Sequence, residues 1–369
     1  MLSKVNRAAD DAKFMARALF LARKGLYTTE PNPRVGCVLV KDNHIIAEGW
    51  HVRTGEGHAE VEALRKTDDA QGATAYVTLE PCSHYGKTPP CAMALIEAGI
   101  QRVVIAMQDP NPLVAGKGIL LLQQADIEVS CGVLEPEAQL LNKGFIRRMQ
   151  TGLPYVISKI AMSLDGKTAM ASGESKWITS TESRQDVQRL RASSSAIMTG
   201  VNTILADDPS LNVRLEDVAV SEPLRIILDS SLKTPSDAKL FSLAGRVLIL
   251  TCVTEVEKYT ALQSVGAEVY CLADNGQGQL DLLAVLKFLG EQQVNQLLIE
   301  AGSLLNGAML QQGLIDECIV YMAPCVLGTS GRGVFAMPMV NKMADKKSLQ
   351  LMETRQVGVD LRLHYKVQK

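Results

Sequence analysis

Apolar residues Phe14, Met15, Ala18, Leu19 and Ala22 recur at the spacing of one helical face, which predicts a first helix capped by Asp10 and Asp11 and stopped by Gly25. Two apolar runs, Val35 to Val40 and Ile45 to Trp50, flank a polar turn and predict a hairpin, with His44 as a turn residue. The pattern then alternates. A helix is expected over Ala59 to Arg65, a strand over Ala75 to Leu79, and a helix from Cys91 to Ala98 ended by Gly99. Strand Val103 to Met107, helix Gly118 to Ala125 and strand Ile127 to Cys131 follow. A longer helix, Glu135 to Gln150, precedes Thr151-Gly152-Leu153-Pro154, which reads as a linker.

Beyond the linker, strands are expected at Tyr155 to Met162, Ala196 to Thr199, Leu224 to Asp229, Val247 to Thr251 and Gln296 to Glu300. Helices fall at Ser180 to Arg191 and Asp281 to Gly290. Strands at Glu317 to Met322, Leu349 to Glu353 and Leu361 to Lys366 close the chain as an antiparallel portion of an α/β domain. A chain of 369 residues exceeds one ordinary core, so two domains are expected, 1–150 and 151–369.

Composition narrows the partners. Hydrophobic residues at 47% with 21% charged describe a soluble globular protein, and a net charge of −2 lacks the basic footprint of a nucleic-acid surface. No apolar run approaches the length of a membrane span and the N-terminus lacks a signal-peptide core, so a cytoplasmic protein is expected. Eight cysteines scattered through such a chain argue against a disulfide framework. Cys37, Cys131, Cys252, Cys271 and Cys318 sit in apolar runs and are expected to be buried thiols; Cys325 has no partner motif.

Three cysteine and histidine positions carry chemistry instead. His58, Cys82 and Cys91 offer one imidazole and two thiols, three ligands that leave the fourth corner of a zinc tetrahedron for water. Zinc lowers the pKa of such a water from about 16 to about 7. Glu60, two residues beyond the imidazole, can carry the proton to a ring nitrogen and a departing amine, which is hydrolytic deamination of an amino-heterocycle. Cys82 is expected at a strand's carboxyl end, and Cys91 at a helix start that favours its thiolate. The usual Cys-x-x-Cys half of the signature is replaced by a longer separation.

That longer loop, Pro81-Cys82-Ser83-His84-Tyr85-Gly86-Lys87-Thr88-Pro89-Pro90-Cys91, resembles the deaminase half of the bifunctional deaminase/reductase of riboflavin biosynthesis. So do Glu30-Pro31-Asn32-Pro33-Arg34-Val35-Gly36 and Asp109-Pro110-Asn111-Pro112. The resemblance implies a cytidine-deaminase-like three-layer αβα domain. It also implies that Asn32, His51, His84, Lys87, Asp109 and Asn111 hold the substrate. Taken singly, such loop residues suit solvated or turn positions equally.

No Gly-x-Gly-x-x-Gly follows a strand, so a Rossmann dinucleotide site is not supported. The turn from Glu300-Ala301-Gly302 into a helix offers bare backbone amides that could cradle a phosphate. Here too the resemblance is informative: Lys159 to Lys167, Gly173 to Thr179 and Thr203 to Pro209 are similar to the family's reductase, whose fold is dihydrofolate-reductase-like. It implies that NADPH meets Ala161, Trp177, Thr203, Asp207, Ser230 and the turn Gly302, Ser303, Leu304, Leu305, Asn306, Gly307 and Ala308. It places the substrate against Lys159, Ser175, Arg191, Leu211, Arg214 and Glu300. Read singly, Trp177 suits a core, Arg191 a helix-end cation and Asp207 a turn. The function implied is zinc-dependent deamination of 2,5-diamino-6-(5-phosphoribosylamino)pyrimidin-4-one, then reduction of the ribosyl unit to ribityl. Zinc and NADPH are the expected cofactors, phosphorylated pyrimidines the substrates, and a homo-oligomer, with a dimer favoured, the assembly. Two other readings stand beside it: a deaminase of another base with an unrelated C-terminal domain, and a non-enzymatic protein whose zinc takes His84 as a fourth ligand.

Overall fold

A computed structural model describes residues 2–83, 89–112, 114–216 and 218–368 of the chain, with side chains from residue 7 onward. The chain divides into two compact units, Met1–Gly152 and Leu153–Lys369.

In the first unit, helix α1 (Leu2–Ala22) precedes the hairpin β1 (Gly36–Lys41) and β2 (His44–Trp50). Then come α2 (Ala59–Leu64), β3 (Thr74–Val77), α3 (Cys91–Glu97), β4 (Arg102–Ile105), α4 (Lys117–Gln124), β5 (Glu128–Cys131), α5 (Glu135–Leu141) and α6 (Lys143–Thr151). The described strands form one five-stranded sheet in the order β2-β1-β3-β4-β5. β1 runs antiparallel to β2 and β3, while β3, β4 and β5 are parallel. Period-two alternation along each strand sends Cys37, Leu39, Val77 and Val103 to one face, beneath Ala59 and Ala63 of α2 and Leu95 of α3. Val38, Val40 and Val104 face the other way, onto Phe14, Met15 and Ala18 of α1. The result is the three-layer αβα arrangement.

α1 starts well before the expected cap, and Asp11 lies inside it, buried. Its carboxylate accepts from both Arg102 terminal nitrogens, at 2.7 and 2.8 Å, and from the Tyr76 hydroxyl at 2.9 Å. The acidic residue expected at a helix end is therefore an ion-pair partner of β4. The expected helix Glu135 to Gln150 is broken at Asn142, which is buried and brackets the Arg34 backbone. The Arg34 N–H donates to Asn142 Oδ1 at 2.8 Å, and Asn142 Nδ2 donates to the Arg34 carbonyl at 3.0 Å.

The second unit contains β6 (Tyr155–Ser163), β7 (Lys167–Ala169), α7 (Thr181–Ala192), β8 (Ala196–Gly200), α8 (Val201–Asp207), β9 (Leu224–Leu228) and β10 (Val247–Thr251). It continues with α9 (Thr260–Gln263), β11 (Ala267–Cys271), α10 (Leu282–Glu291), β12 (Gln296–Ile299), α11 (Ser303–Gln311), β13 (Glu317–Ala323), β14 (Arg332–Gly333), β15 (Leu349–Val357) and β16 (Asp360–Val367). Nine described strands make one sheet in the order β11-β10-β9-β8-β12-β6-β13-β16-β15. It is parallel from β11 to β13 and antiparallel through β16 and β15, the expected terminal antiparallel portion. One face packs on α10 and α11 through Val285, Leu289 and Met309, the other on α7 and α8 through Val187 and Ile204. α8 and β11 were not legible in the hydrophobic pattern, being short and mixed in polarity.

Cys37 and Cys318 are buried as expected, but Cys131 and Cys271 are exposed and Cys252 is half-buried. For Cys131 and Cys271 the cause is topological: β5 and β11 are edge strands, where an apolar run need not be covered.

Arg225 of β9 is 1% exposed and caps a loop end rather than a charge. Its terminal nitrogens donate to the carbonyls of Leu240 (2.6 Å), Leu243 (3.1 Å), Ala244 (2.8 Å) and Gly245 (2.8 Å). Arg225→Leu should leave these buried carbonyls unpaired and cost about 3 kcal/mol of stability. The check is the urea unfolding midpoint at unchanged slope, and an unshifted midpoint would show that water replaces the guanidinium.

Candidate functional site

In the first unit the site is assembled from element ends. His58 is the extended residue before α2, and Glu60 stands in the first turn of that helix, 3% exposed. α2 sits flush on β2 because Gly49 has no side chain: a Cβ there would lie 2.3 Å from the Ala59 carbonyl. Cys82 follows the carboxyl end of β3, and Cys91 opens α3 after Pro90. The Cys91 N–H donates to the Cys82 sulfur at 3.2 Å, so the start of α3 faces that sulfur. His58 Nδ1 lies 3.2 Å from Cys91 Sγ and 3.6 Å from Cys82 Sγ.

These three atoms fit zinc. A tetrahedral ion holds its nitrogen and sulfur ligands about 3.5 Å apart, and one nitrogen with two sulfurs is a set zinc favours. The three ligand atoms all lie within 4.8 Å of one another. Among the described residues no fourth ligand joins the cluster.

Electrostatics sort the roles. The Cys91 group, then His58, hold the Cys82 sulfur well below its ordinary value, against the effect of burial. Burial, with the Cys82 charge added, pushes the Glu60 carboxyl up to about 7. Such a carboxyl can both take and return a proton near neutrality. His51 is buried and burial holds its imidazole below its ordinary value. Its Nδ1 meets the Gly57 carbonyl at 3.0 Å, which leaves Nε2 to accept from Asn32 Nδ2 at 3.1 Å. Asn32, His51 and His58 thus form one group, the two imidazoles edge to face at 5.7 Å. Asp109 and Asn111 lie on the loop between β4 and α4, where the Asn111 N–H donates to Asp109 Oδ1 at 2.8 Å. His84 and Lys87 lie outside the described residues.

In the second unit, several of the residues singled out by resemblance lie on or just beyond adjacent parallel strands, whose carboxyl edge is where open α/β sheets bind ligands. Lys159 and Ala161 are on β6, Glu300 follows β12, Thr203 and Asp207 are one turn apart on α8, and Ser230 lies just beyond β9. Register brings Glu300 beside Lys159, since Ile299 pairs with Ser158, and Lys159 Nζ stands 4.0 Å from Glu300 Oε2. Arg191, from α7, binds the same carboxylate with two bonds, 2.6 and 3.0 Å. Burial pushes Glu300 up, but Arg191 and then Lys159 outweigh it, so its carboxyl titrates below its ordinary value. Burial lowers Lys159, with Glu300 acting against it.

Arg191 Nη1 donates to the Asn212 carbonyl at 2.9 Å and Arg214 Nη1 to the Asn212 side chain at 2.9 Å, which holds both guanidinium groups by one residue. Leu211 itself is 1% exposed, its side chain in the core, so its backbone is what it can offer a ligand. Ser175 is half-buried. Trp177 is not a core residue: it is 70% exposed, with the Arg184 guanidinium 4.5 Å over its ring. Asp207 is paired with Lys176 at 3.4 Å. The Ser230 hydroxyl accepts from the Leu280 N–H at 3.2 Å.

The turn into α11 has no side-chain cap at Gly302, leaving the first amides open. Ser303 and Leu305 are half-buried, as is Ala308, and Leu304 is exposed. Asn306 and Gly307 face inward instead: Asn306 accepts from the Ser158 hydroxyl at 2.8 Å, and Gly307 packs on the Ala336 backbone. Glu80, Asn212 and Gln188, whose Oε1 accepts from the Arg214 N–H at 2.9 Å, belong to no motif; only Glu80, directly before Pro81-Cys82, carries a local signal.

Residues 8–107 match the family model of the cytidine and deoxycytidylate deaminase zinc-binding region, and residues 154–363 match that of the RibD C-terminal domain. Over 366 residues the chain is 49% identical to the riboflavin biosynthesis protein RibD of Escherichia coli (strain K12), covering 96% of this chain and 98% of that one. A solved structure of Acinetobacter baumannii RibD is 45% identical with a TM-score of 0.91, covering 98% of this chain and 100% of that one. A diaminohydroxyphosphoribosylaminopyrimidine deaminase/5-amino-6-(5-phosphoribosylamino)uracil reductase from Thermotoga maritima is 34% identical with a TM-score of 0.87, covering 98% and 99%.

Proposed function

The chain belongs to the RibD family of riboflavin-biosynthesis proteins, and from that premise we propose how its own residues divide two reactions between two sites. The protein is a bifunctional enzyme. It deaminates 2,5-diamino-6-(5-phosphoribosylamino)pyrimidin-4-one hydrolytically with zinc, then reduces the ribosyl side chain with NADPH to give 5-amino-6-(5-phosphoribitylamino)uracil. Deamination is assigned to residues 1–150 and reduction to 151–369.

One observation carries the deaminase assignment: a buried carboxylate, Glu60, stands beside a nitrogen and two sulfurs at zinc-ligand spacing. Zinc held by His58, Cys82 and Cys91 supplies Lewis acidity that brings the pKa of water near neutral. Glu60 takes one proton from the attacking water and delivers it to the ring nitrogen as the C–O bond forms, then carries the remaining hydroxyl proton to the amine, which departs as ammonia when the C–N bond breaks and the carbonyl forms. His51, whose Nε2 accepts from the Asn32 amide, holds Asn32 toward the base, Asp109 and Asn111 orient the ribose, and His84 and Lys87 the phosphate.

At the second site Arg191 and Arg214, forked donors tied to one another through Asn212, suit the substrate phosphate. NADPH supplies the hydride; the chain supplies position and a dry, charged floor. Lys159 and Glu300 lie together where the opening sugar requires proton movement at its C1 substituent. The open amides from Gly302 to Leu305 receive a cofactor phosphate, and exposed Trp177 with Thr203, Asp207, Ser175, Leu211, Ala161 and Ser230 completes the walls.

The assembly is proposed to be a homodimer, supported by the edge strand β15, which exposes Leu351 and Met352. A cytoplasmic place of work is proposed from eight free thiols. No helix of the described residues is long and apolar enough to cross a membrane.

Chelation tests the division of labour. Stripping zinc should abolish ammonia release while NADPH oxidation continues when the deaminated intermediate is supplied, and readdition of zinc alone should restore the first step. Loss of NADPH oxidation on chelation would contradict separate sites.

A further inference from the structure

Glu80 is 3% exposed, sits between the end of β3 and Pro81-Cys82, and has no place in the chemistry above. Its carboxylate is ringed by backbone. Oε2 accepts from the N–H of Asp109 (3.1 Å) and Gly116 (3.0 Å), and Oε1 from those of Gly118 (2.9 Å) and Ile119 (3.2 Å). Each oxygen takes two amides, an arrangement open to the ionised carboxylate alone, and two of the donors belong to the first turn of α4, where the helix field favours an anion.

The same contact is tightened from the other side. Gly118 approaches so closely that a Cβ there would lie 2.0 Å from the Pro81 carbonyl, next to the metal-ligating Cys82. Glu80 therefore fastens two separate pieces of the site to one point: the backbone leading into Cys82, and the loop that carries Asp109 and, through its side chain, Asn111.

We propose that Glu80 is a positioning residue of the deaminase, which holds the Asp109–Asn111 loop at a set distance from the backbone at Pro81-Cys82 and so sets the affinity for the ribosyl part of the substrate. This rests on the first unit being the deaminase. The role needs the charge and the reach together. A glutamine would turn an NH₂ toward two N–H donors, forcing one pair of amides away. An aspartate keeps the charge but falls short.

The test uses the full-length, zinc-loaded protein. Glu80→Gln should keep its zinc and its NADPH oxidation with the deaminated intermediate, while KM for the diaminopyrimidine phosphate rises about tenfold or more and kcat falls less, since misplacing a substrate-orienting loop by about 1 Å costs up to about 100-fold. Glu80→Asp should recover part of the KM. Gly118→Ala, which crowds the same contact from the other side while leaving the Glu80 charge in place, should raise KM in the same way. Zinc-loaded Glu80→Gln with the parental KM overturns the proposal, as does a variant whose zinc content, kcat and unfolding midpoint fall together with no separate change in KM. Ammonia release that survives Glu60→Gln overturns instead the deaminase reading on which it rests.

Discussion

Glu60→Gln is expected to slow ammonia release about 10³-fold and to leave NADPH oxidation with the deaminated intermediate at its parental rate. The substitution keeps size and burial but removes the carboxylate proposed to take the proton. Glu60 is 3% exposed, so bulk water cannot substitute for the carboxylate from the solvent side. The ligand atoms of His58, Cys82 and Cys91 come from other side chains, so zinc content should be unchanged, which separates lost proton transfer from a lost metal. The measurement pairs a coupled ammonia assay with zinc analysis of the same sample. Parallel loss of both enzymatic activities would refute the assignment of one reaction to each unit.

Glu300→Gln should cost the reductase at least about 100-fold in kcat/KM while ammonia release continues. It leaves Arg191 and Lys159 facing one another across a neutral amide, and Arg191 is held by two bonds to that carboxylate, so its guanidinium should swing away from the phosphate position. Removing one partner of a buried pair is also expected to cost about 3–5 kcal/mol of stability. The pH dependence has a definite sign. Glu300 titrates below its ordinary 4.5, so its contribution is present in full above that value and is lost as pH falls through the lowered one. The stability gap between the parent and Glu300→Gln should therefore be constant near neutrality and close only below about pH 4.5. A gap that widens on acidification, seen by urea unfolding across that range, would show that the carboxylate is not the stabilising member. Glu300→Gln with the parental reductase rate would remove it from the proposed site.

Much of the site was legible because it is written locally. His58, Glu60, Cys82 and Cys91 lie at element starts and ends, and such positions are announced by prolines, caps and shifts of period along the chain itself. The α/β class, the hairpin and the antiparallel close of the chain follow likewise from period and breakers. The register that sets Glu300 beside Lys159 was out of reach, because β6 and β12 neighbour one another only in the folded sheet.

The partners of polar groups were the main thing left undetermined. Asp11 looked like a cap and is an ion pair with a residue 91 positions away; Asn142 looked like helix and breaks it to bind Arg34, 108 positions away. Cys131 and Cys271 lay in apolar runs yet sit on sheet edges, and edge or centre is a property of strand order. By itself the sequence singled out the candidate side chains and most of the strands and helices, since hydrophobic period and turn residues act over a few neighbours. Only the tertiary structure decided which buried donors and acceptors meet, because a buried polar group must find a partner wherever packing leaves one, with no regard to distance along the chain.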